Sequence, residues 1–156
     1  MINDVWTRAE RFREALLSRG YWTPQSRCSE GEIRSIETRA FMMLPDSYKA
    51  FLKTFGKGAG EFLSHIDVYY DEIEGNLSFA GVTDKCHHPI PAHAFPVWVD
   101  ATGEQLCFVY SNRGDDPEVY RLYTETGDFE RVASSIWDVF EIELSILDEL
   151  KSNKRD

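Results

Sequence analysis

Hydrophobic positions along the first third of the chain recur at helical spacing. Between residues 3 and 19, Val5, Ala9, Phe12 and Leu16 fall on one narrow face and Gly20 follows as a stop, which predicts an amphipathic helix. After a short loop, Ser29 stands three residues before Glu32, the spacing of a capping box in which the serine hydroxyl caps the helix start and the glutamate reaches back. Ile33, Ile36 and Ala40 give this second helix a buried stripe. Leu44-Pro45 is expected to end it and to begin a third, because proline lacks an N–H that the first helical turn would not use. Tyr48, Phe51, Leu52 and Phe55 then follow at i, i+3, i+4 and i+7, and Gly56 stops them.

From residue 61 onward the pattern shifts to short runs rich in Val, Tyr, Phe and Trp between turn residues, the signature of strands. They are expected within 61–70, 77–80, 95–99, 105–110, 118–123 and 129–132, with glycine-bearing reversals at 100–104 and 125–128. Residues 84–96, with three prolines and three histidines, read as a long surface loop. Ser134 or Ser135 can cap a last helix running to about residue 151, whose apolar residues (Ile136, Val139, Phe140, Ile142, Leu144, Ile146, Leu147 and Leu150) span an arc wide enough to need covering from two sides. Glu143 falls near the middle of that arc, either paired with an Arg or Lys of another element or serving a functional or dimer-contact role.

Helices first and strands afterwards predict an α+β fold of about six strands with the helices packed around the sheet. The chain has 156 residues, 42% of them hydrophobic, with 10 Phe, 7 Tyr and 4 Trp, which suits one domain over 1–156 with its core in 29–150 and a frayed tail at 151–156. No run approaches the ~18 to 20 apolar residues of a membrane span, and the first residues carry acids and arginines where a secretory signal needs an apolar stretch. A cytoplasmic protein is expected. Three cysteines (Cys28, Cys86 and Cys107), without C-x-x-C spacing, fit a reducing compartment.

Charge narrows the partners. Against 17 Lys and Arg stand 27 Asp and Glu, a net charge of −10, and such a field repels phosphate backbones and anionic lipid. Direct nucleic-acid or membrane binding is therefore not expected, whereas a basic protein would be attracted. Acids gather beside aromatics in two places. Asp67, Asp71, Glu72 and Glu74 surround Tyr69 and Tyr70, and Asp115, Asp116 and Glu118 precede Tyr120. Such a surface can grip a basic protein, the rings giving contact area and the carboxylates orientation; the same residues also suit a solvated turn over core tyrosines.

Chemistry of other kinds finds little support. Nucleophile-elbow, P-loop and zinc-protease motifs are missing, and the glycines at 56–60 follow a helix rather than precede one, the reverse of a dinucleotide fingerprint. Cys86, His87, His88 and His93, near Asp84, have zinc-type side chains at a spacing that matches no standard site; they form either an unusual metal loop or an exposed polar one. No cofactor, no metal and no catalytic residue is assigned.

The order of these pieces resembles a known family. Residues 29–60, SEGEIRSIETRAFMMLPDSYKAFLKTFGKGAG, are similar to the front signature of the SUKH superfamily: a capped helix, Leu-Pro, then an aromatic helix ending in glycine. Phe95-Pro-Val-Trp98 with Asp100 and Gly103, Leu106-Cys-Phe108, Asp116-Pro-Glu-Val-Tyr120, and Val132-Ala-Ser-Ser-Ile-Trp-Asp-Val-Phe140 follow in that family's order. The glycine segment extended by Lys57 and Ala59, and the histidine-rich loop, depart from the pattern. The resemblance implies a curved, mostly antiparallel sheet and no catalytic triad. It also implies one of two roles: a bacterial immunity protein that binds and silences a cognate polymorphic toxin, often a basic nuclease, or an intracellular regulatory or scaffold domain. Oligomeric state is left open.

Overall fold

The first, second and last helices begin where a side chain satisfies one of their first free N–H groups. The computed structural model describes residues 4–21, 27–60, 62–63, 66–67, 69–70, 73, 90–100, 102 and 104–154. Asp4 accepts from the Trp6 amide to open α1 (Val5–Ser18), whose Val5, Ala9, Phe12 and Leu16 are buried as their spacing predicts. At α2 (Glu30–Ala40) both halves of the capping box form: the Glu32 amide donates to Ser29 Oγ at 3.1 Å and the Ser29 amide to Glu32 Oε1 at 2.9 Å. This helix stops at Ala40, earlier than Leu44-Pro45, because Phe41 turns left-handed at φ 55°. Pro45 then serves as the N-cap of α3 (Asp46–Phe55). Gly56 follows α3 where no side chain fits: a Cβ there would lie 2.6 Å from the Leu52 Cα and 2.9 Å from Cys28 Sγ.

The sheet is an antiparallel meander of β1 (Ile66–Asp67), β2 (Ala94–Asp100), β3 (Gln105–Tyr110), β4 (Val119–Tyr123) and β5 (Phe129–Ala133) in chain order. Four of the six expected strands are full strands and 61–70 supplies only the two-residue stub β1, since Leu63 adopts a left-handed φ of 56° and breaks the extended run. The expected strand at 77–80 lies outside the described residues. The α+β class stands, with five strands among the described residues. Both reversals, between β2 and β3 and between β4 and β5, fall where the turn residues predict.

In β2 the pairing shifts between Pro96 and Trp98, a bulge that lets Phe95, Val97 and Trp98 all face the same side. Among the described residues β1 pairs with Val99 and Asp100 and stops short of Pro96, whose ring nitrogen has no N–H to offer on that side. The last helix, α4 (Ile136–Asn153), starts at Ser135, which accepts from the Trp137 amide.

Helices and the inner sheet face enclose one aromatic core. Phe12, Phe51, Phe55, Phe62, Trp137 and Phe140 meet ring to ring with centroids 5.1 to 6.2 Å apart, mostly tilted or edge-on as their quadrupoles prefer. Arg8 pairs with Asp138 and Glu141, and Arg19 with Asp148, tying α1 to α4 across partly exposed surface where each pair adds at most ~1 kcal/mol. The wide arc of α4 is covered on one side only. Ile136, Trp137, Phe140 and Leu144 are buried, while Ile142, Ile146 and Leu150 stay exposed. Glu143 is half-buried and lines a cleft of about 190 Å³ with Trp98, Cys107 and Arg121. Among the described residues, no helix is long and apolar enough to cross a membrane.

Candidate partner-binding surface

Strand alternation gives the sheet a second, outer face. In β3, Cys107 and Val109 point into the core, so Leu106, Phe108 and Tyr110 point away from it; in β4, Val119 is inward and Tyr120 and Leu122 are outward. Phe108 and Tyr120 are direct antiparallel neighbours and their rings stack at 5.5 Å and 17°. Tyr110 meets both edge-on, at 5.4 Å each, and Phe129 of β5 closes the group at 5.8 and 6.1 Å. The cluster grades outward from the buried Phe108 to Phe129, 48% exposed.

Charged groups lie on this aromatic floor. The Arg113 guanidinium sits 3.7 Å over the Tyr110 ring and its Nη1 donates to the Tyr120 hydroxyl at 3.3 Å. Tyr120 in turn donates to Glu118 Oε2 at 3.0 Å, and Arg131 Nε lies 2.9 Å from the other Glu118 oxygen. The tyrosine hydrogen bond, then the arginine, hold the Glu118 carboxyl below its ordinary range, and the same bond raises the Tyr120 phenol. Rings, cations and a carboxylate thus share one exposed patch suited to gripping a protein by flat contact and directed polar groups.

The expected acidic clusters are divided differently from their order in the sequence. Of Asp115, Asp116 and Glu118, only Glu118 joins the aromatic patch. Asp115 is exposed, and its backbone carbonyl accepts from the Ser47 amide at 2.8 Å, fastening the β3–β4 loop to the start of α3. Asp116 turns the other way and accepts from Ser135 Oγ at 2.7 Å; burial raises its carboxyl above the ordinary value.

In the other cluster Tyr69 belongs to the core: it is 8% exposed, lies against Phe51, and its hydroxyl donates to the Phe62 carbonyl. Tyr70 is half-buried with Lys57 Nζ 5.6 Å from its ring centroid. Asp67 occupies β1 opposite Val99, while Asp71, Glu72 and Glu74 lie outside the described residues.

Residue-order reasoning missed Tyr110, Arg113, Phe129 and Arg131. The alternation Leu106, Phe108, Tyr110 against Tyr120, Leu122 was the available signal, since two strands with apolar residues on both faces need a second layer or a partner. Cys86, His87, His88 and Asp84 lie outside the described residues, and His93 is exposed at φ 65°. Among the described residues no three His, Cys, Asp or Glu side chains gather as metal ligands. Cys107 is buried beside Arg121, and burial pushes its thiol up to about 12, which disfavours the thiolate.

The sequence model of SUKH_6, a family described as SMI1-KNR4 cell-wall, matches residues 30–138. The chain belongs to the SUKH superfamily. The match runs from the first turn of α2 through the whole sheet to the start of α4, and so contains the aromatic patch. It leaves out α1 and most of α4, yet these supply Phe12, Leu16, Phe140 and Leu144 to the SUKH core. No curated protein matches the chain.

Proposed function

We propose that this SUKH protein is a cytoplasmic immunity protein: it binds a cognate toxin domain, a basic nuclease, and blocks it by covering its active site or substrate entry, with no chemistry of its own. Membership of the superfamily carries the reading. The net charge of −10 supports it, because a nuclease presents cations to phosphate and an acidic protein is drawn to them, and the patch of Tyr110, Tyr120 and Phe129 offers ring area for the contact.

Co-expression with the toxin domain encoded beside the gene tests it. Growth is rescued and the two proteins co-purify, with association slowing steeply as salt rises. No rescue by a well-expressed, folded protein would overturn it. A second reading, a regulatory or scaffold domain that binds an endogenous protein, is favoured by the cell-wall description of the matching family. In that case rescue fails and one chromosomally encoded partner is retained on the immobilised protein.

A further inference from the structure

The loop between α2 and α3 holds the most exposed large hydrophobic side chains among the described residues. Phe41 is 94% exposed and Met43 68%, while Leu44 is buried and Met42 packs on the core. The chain therefore points alternate residues inward and outward, and the outward pair makes no use of the core below it.

Phe41 also holds an unfavourable backbone. It ends α2 at φ 55°, ψ 37°, with its amide directed to the Glu37 and Thr38 carbonyls and the Met42 amide to Glu37 O. Glycine or asparagine usually takes this position, because a Cβ in the left-handed region crowds the following carbonyl, and a bulky side chain there is a clear outlier. The Phe41 backbone caps α2, but its side chain, 94% exposed, adds little to the fold that would offset the strain. Such strain gathers at ligand clamps, and large exposed aromatics are the commonest anchors of interfaces.

The surroundings set the chemistry of what covers it. Phe41, Met42 and Met43 form a shallow depression with Glu37 and Thr38. Asp46 opens α3 just beyond, and the exposed Asp115 is held alongside by the bond from the Ser47 amide to its carbonyl. Glu37 and Lys49, 3.9 Å apart, offset each other, and Arg39, whose Nε donates to the Ser35 carbonyl at 3.3 Å, keeps its charge. Asp46 and Asp115 thus stand on the α3 side of the apolar pair, in a chain of net charge −10. A second copy of this chain would bring like charges against them.

We infer that Phe41 and Met43 form an anchor that inserts into an apolar pocket rimmed by lysine or arginine on the toxin domain. The inference rests on the immunity reading and adds a contact distinct from the Tyr110, Tyr120 and Phe129 patch. Phe41→Gly combined with Met43→Ser removes the anchor and relieves the left-handed strain, so the variant melts at or above the wild-type temperature yet binds the co-expressed toxin domain ~tenfold or more weakly and loses growth rescue. Phe41→Asn, which also tolerates the left-handed region, behaves the same way.

Full rescue and unchanged affinity in both variants, with wild-type rescue intact, would overturn the anchor and leave the immunity reading standing. Failure of the wild-type protein itself to rescue would overturn both. A wild-type dimer that the double variant converts to monomer would also overturn the anchor, since a second copy would then be its occupant.

Discussion

Phe140 and Tyr120 sit in aromatic clusters of similar ring spacing on opposite faces of one sheet, and they are held in opposite ways. On the inner face Phe140 packs against Phe12, Phe51, Phe55, Phe62, Trp98 and Trp137, and the indole N–H of Trp137 is satisfied by the Ser47 carbonyl at 3.2 Å. Hydrocarbon does nearly all the work there. On the outer face two of the four rings are tyrosines, and a guanidinium, a carboxylate and a phenol interlock across them. Similar aromatic geometry thus serves stability where it is dry and remains available to a partner where it is half wet.

The largest expected effect tests the dry side. Phe140→Ala deletes a fully buried ring from the centre of the inner cluster and should lower unfolding free energy by ~3–5 kcal/mol, measured by denaturant titration. A loss under ~2 kcal/mol would mean that neighbouring rings collapse into the gap, and that the inner face is as adaptable as the outer.

The matched deletion on the wet side, Phe129→Ala, removes a ring that is 48% exposed, so stability should fall by only ~1 kcal/mol or less. Toxin affinity should fall further than stability if the outer patch is part of the contact. A loss near that of Phe140→Ala would show that the outer cluster is a second structural core and would remove it from the list of interaction surfaces.

How much of this was legible depends on the range over which each feature is decided. Local rules placed α1, both halves of the capping box at Ser29 and Glu32, and the two hairpin reversals, because caps and turns are fixed within a few residues. The left-handed turn at Phe41 had no such signal, since the residue chemistry argues against it. Tyr69 could not be assigned to the core from its acidic neighbours, because burial beside Phe51 is decided by contacts across the chain. For the same reason Asp115, Asp116 and Glu118, adjacent in sequence, point to three different destinations. The bulge that turns both Val97 and Trp98 inward likewise breaks the strict alternation that a strand pattern assumes.

The smallest expected effect concerns Asp116, which lies at the seam between the two faces: its loop leads into outer strand β4, while its carboxylate holds Ser135 at the start of inner helix α4. Burial raises its carboxyl above 3.8, opposed by the Ser135 hydrogen bond. A raised folded value means that the folded state holds the proton more tightly than the unfolded chain. The group's contribution is then fully present below the unfolded value and is lost as pH rises through the folded one. Asp116→Asn keeps an oxygen for Ser135 Oγ and does not titrate. The stability difference, variant minus wild type, should therefore shift in favour of asparagine as pH rises from about 3 to 7 and then level off, read from paired melts in which the other carboxylates cancel. A shift toward the wild-type protein over that range would mean that hydrogen bonds to the carboxylate outweigh its burial, and that the seam, rather than either face, anchors α4 to the sheet.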